Sequence, residues 1–324
     1  MMEITSRNIR TWSMLGQRGT AFAMALPSLA EEQCNLMVLT ADLSLLSGLE
    51  KFRQSFSRQF LDVGIAEQNM IGIAAGLAKE GNCVFATTYA TFLSMRCYEQ
   101  IRNNLGVMGF NVKIIGSSAG VAMGTSGNCH HSIEDIALMR VIPNMHVIAP
   151  ADGLETVKVL KALSRTNTPA YVRLTGNLNC PVVYKEDYDF RLGAGNVLRW
   201  GNGIAIIAIG TLVAEALKAA DRLEEQGIRI TVIDMHTIKP LDKELVKGLT
   251  KEHTVIYTLE EHSVIGGLGG AVAECLAEIG TSTRLIRLGF RDEYSVLGDY
   301  EYILKSNGLD AASVEKQIYT LVKG

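Results

Sequence analysis

Short apolar runs alternate along the chain with longer segments in which apolar positions recur every three to four residues. The short runs lie at 36–40, 59–63, 83–87, 112–116, 145–149 and 170–174. They are rich in Val, Ile and Leu and lack strict in–out alternation, the pattern of strands buried on both faces. The clearest helical stretch begins at Glu67, where Met70, Ile71, Ala74, Ala75 and Leu77 recur near helical spacing. Gly81 then stands where a left-handed C-terminal cap is expected. Strand-then-helix alternation of this kind predicts a parallel sheet covered by helices.

Polar and turn residues interrupt the rhythm at 176–192, with Asn-Leu-Asn-Cys-Pro at 177–181 and Lys-Glu-Asp-Tyr-Asp at 185–189. A linker is predicted there. Beyond it the rhythm restarts, with strands at 204–209, 228–233, 254–258 and 284–288. Helices are predicted at 212–226, 242–251, 270–278 and from about Ala311. The expected fold class is α/β, with two doubly wound domains. The larger, mainly parallel domain spans 1–185 and the smaller α/β domain 190–324.

Composition narrows the picture in four ways. With 324 residues, 48% of them hydrophobic, the chain has ample material for two cores and is not disordered. A net charge of -3 with 31 basic and 34 acidic residues argues against nucleic acid as a partner. The longest strongly apolar run, 204–209, is far short of a membrane span, and the first residues carry no apolar signal-peptide core. None of the six cysteines forms a C-x-x-C pair, which favours reduced thiols and a cytoplasmic setting.

Four segments could carry chemistry. Glu67 opens a helix directly after a strand, where ligands of open α/β sheets gather; a carboxylate in that first turn also suits the helix dipole with no further role. The segment from Thr87 to Gln100 again runs from strand to helix, with Tyr89, Phe92 and Tyr98 near its mouth. These rings could stack on a flat heterocycle or serve as ordinary core. A loop rich in Gly and Ser, 116–128, ends in Cys129-His130-His131. Adjacent histidines point in different directions, which disfavours a metal site, whereas acid–base work by one imidazole is plausible near neutral pH. The glycine cluster Gly266-Gly267-Leu268-Gly269-Gly270 lacks the G-x-G-x-x-G spacing. It follows Glu260-Glu261-His262 rather than a strand end, so it reads as close helix packing.

Taken together, these segments resemble the thiamine diphosphate enzymes of the transketolase family. Gly64-Ile65-Ala66-Glu67-Gln68-Asn69 is similar to the family's glutamate motif, and Tyr89-Ala90-Thr91-Phe92-Leu93 to the segment that packs on the aminopyrimidine ring. His130-His131-Ser132-Ile133-Glu134-Asp135, with Ile142-Pro143-Asn144-Met145 after it, resembles the substrate-side loop. Glu260-Glu261-His262-Ser263 before Gly266-Gly267-Leu268-Gly269 resembles the C-terminal domain. The Gly-Asp-Gly motif of the family's diphosphate-binding domain occurs nowhere in the chain. The resemblance therefore implies a pyrimidine-binding domain joined to a C-terminal domain, the C-terminal half of a split transketolase.

That resemblance implies specific roles. Glu67 would hydrogen-bond the aminopyrimidine N1′ and favour its imino tautomer. Phe92 would stack on the ring, with Tyr89, Met95 and Tyr98 completing the cofactor side. His130, a second catalytic group, would meet substrate hydroxyls, and Arg18 or Arg173 would take an anionic end. Thiamine diphosphate would be the cofactor, with Mg²⁺ or Ca²⁺ held mainly by the partner. The partner would be an N-terminal subunit carrying the diphosphate-binding domain, in a dimer of heterodimers. The reaction implied is transfer of a two-carbon ketol unit from a ketose to an aldose.

Two departures bear on the sugar. Ser126 stands where the family has an Asp, four residues before the histidine aligned with His130. Gly176 replaces an arginine that grips the sugar phosphate. Guanidinium supplies charge-assisted, often bidentate bonds to phosphate, and glycine none, so the expected substrate differs from the common pentose phosphates. Three other readings compete: a 2-oxo acid dehydrogenase β-type subunit, a 1-deoxyxylulose-5-phosphate synthase-like enzyme, and a catalytically silent assembly subunit. Tyr89-Ala90-Thr91-Phe92-Leu93 speaks against the first, and intact Glu67 and Phe92 against the last.

Overall fold

The apolar runs of the first half fold as β1 (Leu36–Thr40), β2 (Phe60–Asp62), β3 (Cys83–Tyr89), β4 (Val112–Ser117), β5 (His146–Ile148) and β6 (Ala170–Arg173). The computed structural model describes residues 2–175 and 178–323. Gly176, singled out above, lies outside the described residues, as do the chain ends and part of the predicted linker. These six strands are parallel, in the order β5-β6-β4-β3-β1-β2. Every position of β4 is buried, which explains its lack of alternation. Helices such as Glu67–Lys79 and Gly153–Leu163 connect successive strands. Gly81 adopts the left-handed conformation expected of it, with φ 88°.

The second half supplies β7 (Asn196–Arg199), β8 (Gly203–Ala208), β9 (Thr231–Asp234), β10 (Thr237–Lys239), β11 (His253–Ser263) and β12 (Arg284–Phe290). A five-stranded sheet runs β12-β11-β8-β9-β7, all parallel except β7. The flanking helices are Leu212–Glu225, Lys243–Glu252, Leu268–Ile279 and Ala311–Lys323. No helix among the described residues is long and apolar enough to cross a membrane.

The two halves are more entwined than a linker implies. β10 leaves its own lobe and pairs antiparallel with β5, making the first sheet seven-stranded. Lys239 fastens this edge by donating to the carbonyls of Arg140 (2.7 Å) and Ile142 (2.5 Å). Neither β7 nor β10 is predicted from the sequence, because Asn-Val-Leu-Arg and Thr-Ile-Lys lack the continuous apolar run that marks the other strands. β11 also outruns its predicted end and continues to Ser263, so the glycine cluster after it does follow a strand end.

Candidate active site

The carboxyl ends of the parallel strands gather the chemistry, as strand topology requires. Glu67 is the first residue of the helix that follows β2, and only 6% of it is exposed. Its Oε1 accepts a 2.6 Å bond from Arg96 Nη1. Arg96 itself is anchored twice more: its guanidinium lies 4.3 Å over the Phe92 ring, and its carbonyl accepts from Gln68 Nε2. The segment Phe92–Arg96 winds as a π-helical turn, a geometry common at functional sites. Beside it, burial and the neighbouring Glu67 charge push the Cys97 thiol up to about 12, leaving it unreactive.

Three rings meet next to this ion pair. Tyr89 and Phe92 lie 6.0 Å apart, Phe92 and His130 5.5 Å, and Tyr89 and His130 6.5 Å, all edge to face. Nδ1 of His130 is buried and has no protein partner. His131 diverges, as adjacency requires: its Nε2 meets the Gly124 carbonyl at 2.9 Å and its Nδ1 the Asn128 side chain at 3.2 Å. One histidine faces the cluster, and the other holds the loop in shape.

That loop is moulded by the second lobe. Gly120 has φ 63°, and a Cβ there would overlap the carboxylate of Glu261. Glu261 is buried, accepts the Val121 N–H at 2.7 Å and is bonded by the Tyr300 hydroxyl at 2.6 Å. Next to it, Glu260 accepts the N–H groups of Leu268 and Gly269. The helix N-terminus after the glycine cluster is thus filled by an internal carboxylate. Burial raises that carboxyl to about 7.

The remaining predicted residues separate into near and far. Arg18 follows a break in the first helix at Gly16 (φ 68°). Its neighbour Gln17 is fully buried, donating to the Pro150 carbonyl and accepting from Thr175 N–H. Arg18 therefore sits at the strand ends, where Nη1 donates to Ser118 Oγ at 3.2 Å. Met95 is exposed, with its sulfur in reach of the Thr91 hydroxyl. Tyr98 is half-buried against the core and is not one of the three meeting rings. Ser126 closes a short turn, Gly124–Ser126, on the loop surface.

Arg173 is a correction. Expected to take an anionic end, it is 1% exposed and spent on protein partners. Nε pairs with Asp135 at 2.8 Å, while Nη2 donates to the carbonyls of Ser132 (3.1 Å) and Glu261 (2.7 Å). Sequence reasoning also passes over Arg96, although it lies within the quoted aromatic segment. Its distance from Phe92, one wide helical turn, is the only signal the sequence offers.

Comparison with known proteins identifies both lobes. Residues 17–180 match the transketolase pyrimidine binding domain and residues 193–314 the transketolase C-terminal domain. An apulose-4-phosphate transketolase subunit of Phocaeicola vulgatus is 39% identical over 304 residues, covering 94% of this chain and 96% of that one. A 6-deoxy-6-sulfo-D-fructose transketolase subunit of a Clostridium species is 37% identical, covering 91% of each. The structure described as a split gene transketolase, inactive beta4 tetramer, superposes with a TM-score of 0.86 at 39% identity, covering 94% of this chain and 97% of that one. The chain spans only about half of the 1-deoxy-D-xylulose-5-phosphate synthases it also matches, such as that of Bordetella parapertussis (38% identical, 92% of this chain, 47% of that one). The chain belongs to the transketolase family, with that family's pyrimidine-binding and C-terminal domains in order.

Proposed function

We propose that this chain is the pyrimidine-side subunit of a two-subunit transketolase, moving a two-carbon ketol unit from a ketose to an aldose. The observation that carries it is the buried Glu67 carboxylate at the strand ends, flanked by Phe92, Tyr89 and His130. Thiamine diphosphate, the family's cofactor, supplies when bound the electron sink that lets a two-carbon fragment leave one sugar and join another. The residues present fit its aminopyrimidine end: a buried acid for a ring nitrogen, an aromatic face for stacking and an orphaned imidazole nitrogen beside both. In this reading Glu67 exchanges a proton with N1′. Phe92 and Tyr89 exclude water from that side. His130 offers its unpartnered nitrogen to a sugar hydroxyl.

The diphosphate and its Mg²⁺ or Ca²⁺ then belong to an N-terminal partner subunit. The absence of a Gly-Asp-Gly motif from the sequence supports that division. The relatives named as transketolase subunits support it too. The active unit is a heterotetramer, a dimer of heterodimers. We keep 1–185 and 190–324 as the two domains. The cytoplasm is its compartment, in line with six free cysteines. For the sugar, Arg18 replaces Arg173 as the group that takes an anionic end, because it forms no ion pair among the described residues. Neutral, exposed Ser126 supports a substrate other than the common pentose phosphates, and relatives named for apulose 4-phosphate and a sulfonated sugar support the same view.

The test is reconstitution with a candidate N-terminal subunit carrying the Gly-Asp-Gly motif, followed by ketol transfer from a panel of ketoses in the presence of thiamine diphosphate and Mg²⁺. The expected result is kcat/KM of about 10⁴ M⁻¹s⁻¹ or above for one donor, with neither subunit active alone. Failure with every ketose would overturn the function. Xylulose 5-phosphate as the best donor would overturn the substrate reading alone. Micromolar cofactor binding by this chain without a partner would overturn the division of the site.

A further inference from the structure

We propose that Arg96 is a gate on Glu67: it closes on the carboxylate and must swing off it for the heterocycle to bind. The inference rests on the reading of Glu67 given above. Two contacts compete directly with that ligand. Arg96 Nη1 occupies Oε1 of Glu67 at 2.6 Å, and the same guanidinium covers the Phe92 ring at 4.3 Å. A ring nitrogen needs the carboxyl as donor, and a stacked ring needs an aromatic face. Arg96 holds both.

The chemistry of the pair makes the conflict specific. An ion pair is made by the ionised carboxylate, which has lone pairs but no proton to give. A nitrogen lone pair facing it would be repelled, so docking requires that Glu67 gain a proton and lose its cation. The asymmetry of exposure shows which partner moves. The Glu67 side chain is 6% exposed and fixed at a helix start, whereas that of Arg96 is 47% exposed. A long, half-solvated guanidinium can leave toward water at small cost. Arg96 is therefore a positioning residue that acts through Glu67.

The test compares the wild-type two-subunit complex with complexes carrying Arg96→Gln and Arg96→Lys. Calorimetric titration with thiamine diphosphate and Mg²⁺ is run in buffers of different ionisation enthalpy, which reports affinity and proton uptake together. Releasing the ion pair and its ring contact should make Arg96→Gln bind about three- to tenfold more tightly, with the gain shrinking in high salt. Arg96→Lys should stay near wild type. Proton uptake on binding should be present in wild type and absent in Glu67→Gln. Equal or weaker binding by Arg96→Gln would overturn the gate and mark Arg96 as a ligand contact or a bystander. Should the Arg96→Gln complex not assemble, proton uptake unchanged between wild type and Glu67→Gln would overturn it independently. If no complex binds thiamine diphosphate, the functional reading falls and the gate with it.

Discussion

Replacing Arg173 by Met separates a structural role from a substrate role. The guanidinium is 1% exposed and makes three bonds, to Asp135 and to the carbonyls of Ser132 and Glu261. Asp135, fully buried, would retain only the Tyr171 hydroxyl at 2.5 Å on Oδ2, with Oδ1 already lacking a partner. Removing one member of a buried ion pair costs about 3–5 kcal/mol, because the other charge stays behind uncompensated. At roughly 1.5 °C per kcal/mol for a chain of this size, the melting temperature should fall by about 4–7 °C. Adding Asp135→Asn to the variant removes the stranded charge and should recover about 1–2 kcal/mol of that loss. Denaturant unfolding of wild type, both single variants and the double variant gives the coupling energy directly. Ketol-transfer kinetics well below the melting temperature complete the comparison. A loss under about 1 kcal/mol together with a KM raised more than tenfold would refute the structural assignment and restore Arg173 to the substrate.

Glu67→Gln should keep the fold but lower the C2-proton exchange rate of cofactor bound to the complex by about 10² or more; an exchange rate equal to wild type would contradict the acid–base role. Burial raises the Asp234 carboxyl to about 7 and the interacting Glu155 carboxyl well above its usual range, so this pair holds protons in the native state that the unfolded chain releases near pH 4. The stability this contributes is complete below about pH 4 and is lost as pH rises through about 7. Asp234→Asn should flatten that slope, as read by denaturant unfolding at pH 5 and pH 8. Tyr300→Phe removes the hydroxyl that bonds the buried Glu261 carboxylate and should cost about 1–3 kcal/mol, with a larger loss in donor kcat/KM than in cofactor affinity. Equal losses in both would show that the loop ending in His130 does not depend on this bond.

The strands are legible because burial on both faces writes itself as continuous Val, Ile and Leu, and that pattern survives in any α/β chain. Glu67 is legible for a different reason: a strand end and a helix start mark its position, and the resemblance of Gly64–Asn69 to the family's glutamate motif makes it a candidate. β10 escapes because Thr-Ile-Lys holds a single apolar residue, and its partner strand β5 lies far away in sequence. Arg173 misleads for a related reason. Its position at the end of β6 is shared by ligand-binding and core arginines alike, and only the contacts with Asp135, Ser132 and Glu261, distant in sequence, decide between them. Arg96 is visible as a residue, but its pairing with Glu67 depends on how a π-helical turn places it.

The second lobe holds none of the three rings and no part of the Glu67 pair, yet it reaches the site through one continuous set of bonds. Thr175, just past β6, touches the Thr211 hydroxyl at 3.3 Å; Thr211 meets the Tyr300 hydroxyl at 2.9 Å, and Tyr300 bonds Glu261. Glu261 then captures the Val121 N–H at the start of the loop that ends in His130. Every member of this set is buried or nearly so, where an unmet polar group costs about 1–3 kcal/mol, so the bonds tend to hold or break together. The glycine at 120 is the counterpart on the loop side, since any side chain there would displace Glu261. A loop otherwise rich in glycine and serine thereby acquires one shape, imposed from the far lobe. The second lobe thus bonds to the start of the loop that places His130 against Tyr89 and Phe92.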